Sequence, residues 1–130
     1  MEVFDGFIKA IASEFKIKFH KDEEGNYLTV IKFDNNREQE VLVTLSKDES
    51  GDRIINYYSV IGKLKQDLGE LYKYSLQLNS TLHYGSIALL NEALILRNSL
   101  LLHDCEPRRF FKSLTYIAAK ADELEEMLIK

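Results

Sequence analysis

The sequence has few of the residues that mark disulfide-stapled, metal-bound or fibrous proteins. Among its 130 residues there are one cysteine, one proline and no tryptophan. One cysteine excludes an intramolecular disulfide and the paired cysteines of a structural zinc site. Proline and glycine are too scarce for a collagen-like or low-complexity chain. The rest is ordinary globular composition, with 45% hydrophobic and 29% charged residues.

Long apolar runs and an excess of positive charge are also missing. The most apolar stretch, residues 86–102, is interrupted by Asn91, Glu92, Arg97 and Asn98, before it reaches the ~20 residues of a membrane span. The N-terminal residues are acidic and do not resemble a secretory signal. The formal net charge of −4 disfavours nucleic acid and anionic lipid as partners. We therefore expect a cytoplasmic protein with no membrane partner.

The hydrophobic period alternates between helical and strand-like along the chain. Helical spacing covers residues 2–15, 63–78 and 107–129, and strand-like patterns cover residues 16–21, 27–33, 40–46, 53–61, 82–90 and 93–102. Short turns between the first strands predict an antiparallel meander. The last two strands are apolar on both faces, which predicts a central position in the sheet. We expect one α+β domain over residues 1–130, a single antiparallel sheet with packed helices in the order α-β(3–4)-α-β-β-α.

The densest group of reactive residue types is the turn from His103 to Glu106, which contains Cys105. One interpretation is a nucleophilic cysteine at a helix N-terminus. The other is a polar turn in which Asp104 caps the following helix and Pro107 occupies its first turn. Metal-ligand spacing and glycine-rich nucleotide motifs are absent from the sequence, so we expect no metal and no cofactor. A small enzyme or ligand-binding domain that uses this turn stays open as an alternative.

Basic residues recur on the first two predicted strands, at Lys16, Lys18, His20, Lys21 and Lys32. A basic sheet face with aromatic neighbours is one way to bind single-stranded nucleic acid. Lysines also protect sheet edges from unwanted pairing. Because the chain as a whole is acidic, we expect edge protection and no nucleic-acid partner.

The order of elements along nearly the whole chain resembles that of a family of known proteins, and the apolar positions match in about the second half of the chain. The stretch LQLNSTLHYGSIALLNEALILRNSLLL and the helix EPRRFFKSLTYIAAKADELEEMLIK are similar to the class I chaperones of bacterial type III secretion. They are also similar to the related YbjN-type bacterial proteins. In these families a central helix leads into such a hairpin and then into a final helix.

The resemblance implies a non-enzymatic bacterial protein that forms a homodimer and binds an extended segment of a client protein. Carried over to this sequence, the dimer interface would lie on the central helix, at Leu64, Leu68, Leu71 and Tyr72. The client would be bound by the first helix and the meander, at Phe4, Ile8, Tyr27 and Leu42. Such binding needs apolar grooves or an open sheet edge rather than reactive side chains.

Overall fold

The computed structural model describes residues 2–64 and 69–129. Within these residues the chain forms three α-helices, six strands and one 3₁₀ turn. In chain order they are α1 (Glu2–Phe15), β1 (His20–Lys21), β2 (Tyr27–Lys32), β3 (Glu38–Lys47), β4 (Arg53–Lys63), α2 (Gly69–Leu78), the 3₁₀ turn (Asn79–Thr81), β5 (Ser86–Leu90), β6 (Ala93–Leu101) and α3 (Pro107–Leu128).

All six described strands belong to one antiparallel sheet with the order β1-β2-β3-β4-β6-β5. Strands β1 to β4 form a meander, because short polar turns join them. Strand β6 pairs along most of β4, and the tight turn at Asn91 and Glu92 folds β5 back onto the far side of β6. The predicted α+β class with a single antiparallel sheet is confirmed, with four strands before α2.

The first predicted strand is much shorter than expected. Residue Lys16 has a left-handed backbone with φ of 56°, which ends α1. The chain then joins the sheet only at His20 and Lys21. The prediction of a strand over the whole of residues 16–21 was therefore wrong. Alternating polar and apolar residues indicate which side chains are exposed, and they do not show whether the backbone pairs with another strand.

Two further predictions need correction. The apolar strand β5 lies at an edge of the sheet and not in its centre, because β6 separates it from β4. The N-cap of α3 is Glu106, which makes no side-chain capping hydrogen bond, so the prediction of Asp104 was wrong. Pro107 does occupy the first turn of α3, where its missing N–H costs little.

The core lies between one face of the sheet and the helices α1 and α3. Helix α3 crosses β3, β4 and β6, and α1 packs beside it. The buried residues of β4 alternate along the strand, and Tyr57 lies at their centre. The Tyr57 ring packs edge-on against Phe110 of α3, with ring centroids 5.0 Å apart. Its hydroxyl group bonds Ser113 and accepts a hydrogen bond from the Asn98 amide, so this buried polar group is satisfied.

None of the helices in residues 2–64 and 69–129 is long and apolar enough to cross a membrane. The same residues contain no group of three or more His, Cys, Asp or Glu side chains arranged to hold a metal ion.

Candidate functional site at the edge of the sheet

The two edges of the sheet differ in whether their backbone hydrogen-bonding groups are satisfied. An edge strand leaves every second residue with its N–H and C=O pointing away from its neighbour strand. Such groups are a template for pairing with another chain, unless something covers them. The edges at β5 and β2 are therefore the first places to look for a binding surface.

The β5 edge is closed at its buried residue by an asparagine side chain. The Ile87 N–H donates to Asn79 Oδ1 at 2.6 Å, and Asn79 Nδ2 donates to the Ile87 carbonyl at 3.3 Å. The carboxamide of Asn79 thus takes the place of a peptide group from a further strand. It is held there by the 3₁₀ turn that follows α2. At Ile87 the edge offers no free backbone group to a partner.

The β2 edge is open along its second half. The Phe33 N–H donates to the Arg37 carbonyl across the β2–β3 turn, so Ile31 and Thr29, two and four residues earlier, also direct their backbone groups to β3. The alternate residues Val30 and Lys32 direct theirs outward. Strand β1 pairs only with Tyr27 and Leu28, and in the described chain no backbone hydrogen bond reaches Val30 or Lys32 from that side. Two N–H donors and two C=O acceptors are therefore free.

A cleft of about 690 Å³ lies beside these free groups. One wall is the segment between α1 and β1. The Thr29 hydroxyl of β2 donates to the Lys18 carbonyl of this segment at 2.7 Å, but the segment pairs with β2 only from His20 onward. Apolar side chains that pack against the core contribute to the lining, namely Ile17, Ile31 and Phe111. The cleft thus combines an unpaired sheet edge with an apolar floor, which are the two requirements for binding an extended peptide.

Basic side chains surround the same cleft. Lys16, Lys18, His20 and Lys32 line it, together with one acid, Glu38. The sequence predicted a basic cluster here, and the structure brings these four residues around one cavity. Lys21, the fifth member, lies apart from the cleft lining and forms an ion pair with Asp5 at 3.1 Å.

Polar side chains join α1 to β2 at a contact that we call the clasp, formed by Asp5, Tyr27 and Lys21. The Tyr27 hydroxyl donates to Asp5 Oδ1 at 2.5 Å, and Lys21 Nζ approaches Asp5 Oδ2. The Tyr27 hydrogen bond and then the Lys21 ammonium hold the pKa of the Asp5 carboxyl below its usual value. Burial, followed by the hydrogen bond to Asp5, raises the pKa of Tyr27 to about 12. The clasp fixes α1 against the sheet in the neutral pH range.

The structure places the four predicted client-binding residues in two different environments. Phe4, Ile8 and Tyr27 lie in the core with 2%, 2% and 6% of their surface exposed. Phe4 packs edge-on against Tyr27, with ring centroids 5.5 Å apart. Leu42 is half-buried, and strand alternation places it on the opposite face from the core residues Val41 and Val43. The four residues are not brought together into one surface, and a client role for them stays a prediction.

The predicted dimer residues Leu64, Leu71 and Tyr72 are half-buried, and Leu68 lies outside the described residues. Leu64 follows β4 and donates its N–H to the Glu92 carbonyl at 2.7 Å. Helix α2 buries only Ser75. A dimer interface at these residues stays a prediction.

The thiol of Cys105 is half-buried next to the start of α3. Burial raises its pKa above the usual value, whereas an activated cysteine needs a lowered pKa. Its sulfur lies 3.7 Å from the Glu106 carbonyl. His103 lines a separate shallow cavity with Asp52 and Arg53. These environments give no support to a nucleophile in the turn from His103 to Glu106.

Similar solved structures share the architecture over nearly the full length of the chain. One is the crystal structure of the ExsC–ExsE complex, with a TM-score of 0.65, 15% identity, and coverage of 96% of this chain and 92% of that chain. A second is the HopA1–SchA chaperone–effector complex, with a TM-score of 0.62, 11% identity, and coverage of 95% and 94%. A third is the Yersinia pestis type III secretion chaperone SycH with a stable fragment of YscM2, with a TM-score of 0.59, 17% identity, and coverage of 92% and 97%.

This chain has the type III secretion chaperone fold. At these identities the likeness concerns the fold alone, and it agrees with the resemblance that the apolar pattern indicated. No known protein-family model matches the sequence, and no curated protein matches it closely enough to be informative.

Sequence reasoning missed the two features that distinguish the sheet edges, the unpaired backbone at Val30 and the bonding of Asn79 to the backbone of Ile87. Val30 carries no sign in the sequence that its backbone is unpaired, because that depends on where β1 ends. Asn79 contacts Ile87 only after the chain has turned through the 3₁₀ segment. The available signal was the cluster of lysines on the first two predicted strands, which is typical of a sheet edge.

Proposed function

We propose that this protein is a non-enzymatic, chaperone-like module that binds an extended segment of another protein by strand addition to β2. The observation that carries the proposal is the open hydrogen-bonding edge at Val30 and Lys32, beside a cleft with an apolar floor. Asn79 closes the β5 edge at Ile87 but leaves Leu89 open, whereas in the described residues the β2 edge is open at both Val30 and Lys32. The solved structures with the same fold include complexes with partner proteins, which supports a protein partner for this chain.

The test of this proposal removes one free donor without changing the core. Proline at position 30 deletes the outward N–H, and an edge strand tolerates proline where its N–H is unpaired. Alanine at the same position keeps that N–H and serves as the matched control. We expect proteins that co-purify with the wild type and with Val30→Ala, identified by mass spectrometry, to be lost with Val30→Pro. Retention of the same proteins by Val30→Pro, with unchanged circular dichroism, would contradict strand addition at this edge.

We also propose that the protein is a homodimer whose interface comprises α2, with Leu71 and Tyr72, and the predicted residues before it in the sequence, Leu64 and Leu68. The support is the low burial of this helix, whose Leu76 and Tyr74 are 70% and 45% exposed. Apolar side chains with that exposure on a ten-residue helix gain stability when a partner covers them. The expected mass in light scattering is about twice the 15.1 kDa of the chain.

The variant Leu76→Asp tests the dimer separately from the fold. Because Leu76 is exposed in the single chain, an aspartate there costs the monomer little but places a charge in the proposed interface. We expect Leu76→Asp to scatter as a monomer at a micromolar concentration where the wild type is a dimer. A wild type that stays monomeric, or a variant that stays dimeric, would contradict an α2 interface.

A further inference from the structure

We infer that the segment that adds to β2 is acidic, with Asp or Glu alternating with apolar residues, an inference that rests on the proposed strand addition. The lining of the cleft carries Lys16, Lys18, His20 and Lys32 against the single acid Glu38. The chain as a whole has four more acidic than basic residues. The sign of charge at this edge is therefore opposite to that of the surface as a whole.

The lysines of the cleft are available for a partner. In the described part of the chain the ion pairs involve Lys21, Arg37 and Lys120. None of Lys16, Lys18 and Lys32 forms one there, and each of these side chains is exposed. Lysines at an edge discourage pairing with a neutral or basic strand. The same charges attract a strand whose carboxylates approach them, so the edge discriminates by sign.

The alternation of apolar and acidic residues follows from the geometry of the edge. Successive side chains of an added strand point to opposite faces of the sheet. On the helix side of β2 the strand would meet the apolar floor formed by Ile31, Ile17 and Phe111. On the other side it would lie next to Val30 and Lys32. Apolar residues therefore fit one face of the partner segment, and carboxylates fit the other.

A nucleic acid fits this cleft less well, although its charge has the right sign. Single-stranded nucleic acids bind by stacking bases on exposed aromatic rings. Besides the imidazole of His20, the cleft lining contains one aromatic ring, that of Phe111. Its ring already stacks on Phe15, with centroids 4.2 Å apart and planes within 2°. Tyr27 is buried. The free N–H and C=O groups at Val30 and Lys32 match a peptide backbone directly.

The experiment measures the binding of designed peptides by fluorescence anisotropy. The probe is a fluorescein-labelled peptide of about ten residues, enough for one strand, in which Val alternates with Glu. A matched peptide has Gln in place of each Glu. We expect the Glu peptide to bind at least about tenfold more tightly at low salt, and this advantage to shrink as salt screens the charges.

Lysine variants locate the effect. Lys16→Gln, Lys18→Gln and Lys32→Gln should each weaken the Glu peptide about two- to fivefold and leave the Gln peptide unchanged. Lys47→Gln is the matched control, because Lys47 is exposed at the end of β3 and does not line the cleft. Equal affinity of both peptides, or an equal effect of Lys47→Gln, overturns the inference. So does an oligo-dT strand that binds more tightly than the Glu peptide through the same lysines.

The variant Val30→Pro separates this inference from the proposed function. If both peptides bind equally and Val30→Pro weakens both, strand addition holds and the acidic preference is wrong. If the Glu peptide is preferred through the lysines but Val30→Pro has no effect relative to Val30→Ala, the acidic preference holds and strand addition is wrong. If neither peptide binds at millimolar concentration, both are overturned.

Discussion

Replacement of Asn79 by alanine should both destabilise the protein and open its second sheet edge. The carboxamide makes two hydrogen bonds with the backbone of Ile87, at 2.6 and 3.3 Å. Each such bond contributes about 0.5–1.5 kcal/mol net, and water replaces part of the longer one. We therefore expect Asn79→Ala to lower the free energy of unfolding by about 1–2 kcal/mol. For a chain of this length that corresponds to a fall in Tm of about 4–7 °C.

The assay is urea unfolding followed by circular dichroism, with Gln77→Ala as the control. Gln77 is exposed on α2, two residues before Asn79, and its truncation should change stability by less than about 0.5 kcal/mol. We also expect faster hydrogen exchange at the Ile87 amide, and concentration-dependent light scattering as the freed β5 edge pairs between molecules. If Asn79→Ala unfolds at the same urea concentration as Gln77→Ala, the two hydrogen bonds from Asn79 to Ile87 do not stabilise the fold. The claim that Asn79 closes the β5 edge would then be wrong.

Two further predictions concern the backbone and the clasp. A Cβ at Gly85, where φ is +75°, would lie 2.5 Å from the Arg97 carbonyl oxygen, so Gly85→Ala should cost about 2–4 kcal/mol in urea unfolding. Gly6→Ala, in α1 with open space around the new methyl group, should instead add about 0.5–1 kcal/mol; equal effects at the two positions would contradict the described backbone. Because the pKa of Tyr27 rises from 10.0 to about 12 on folding, its contribution to stability is kept below pH 10 and is lost as the pH rises toward 12. Tyr27→Phe should lack this loss, and parallel alkaline unfolding curves for the two proteins would refute the assignment.

The order of the elements was predictable because each helix and strand has its own hydrophobic period. The period does not show what covers an apolar face. Phe4, Ile8 and Tyr27 were assigned to a client surface, but in the structure α1 folds onto the sheet and these residues form part of the core. Periodicity placed Phe4 and Ile8 on one helix stripe, and only the resemblance grouped Tyr27 with them. The tertiary packing shows that Phe4 and Tyr27 face each other.

The site itself was predictable only in its charge. The lysines of the first two predicted strands indicated a sheet edge, and Lys16, Lys18 and Lys32 line the cleft there. Whether that edge is paired depends on the left-handed residue Lys16 and on the early end of β1. Single-residue backbone geometry of this kind leaves no periodic signal in a sequence.

Amide hydrogen exchange of β2, measured by NMR with and without the Val–Glu peptide, tests the central claim most directly. In the free protein the amides of Thr29 and Ile31 should exchange slowly because they bond to β3, and those of Val30 and Lys32 should exchange fast. Binding of the peptide should slow Val30 and Lys32 and leave the other two unchanged. A bound peptide that leaves Val30 and Lys32 exchanging fast, or that protects Leu89 of β5 instead, would contradict strand addition at β2.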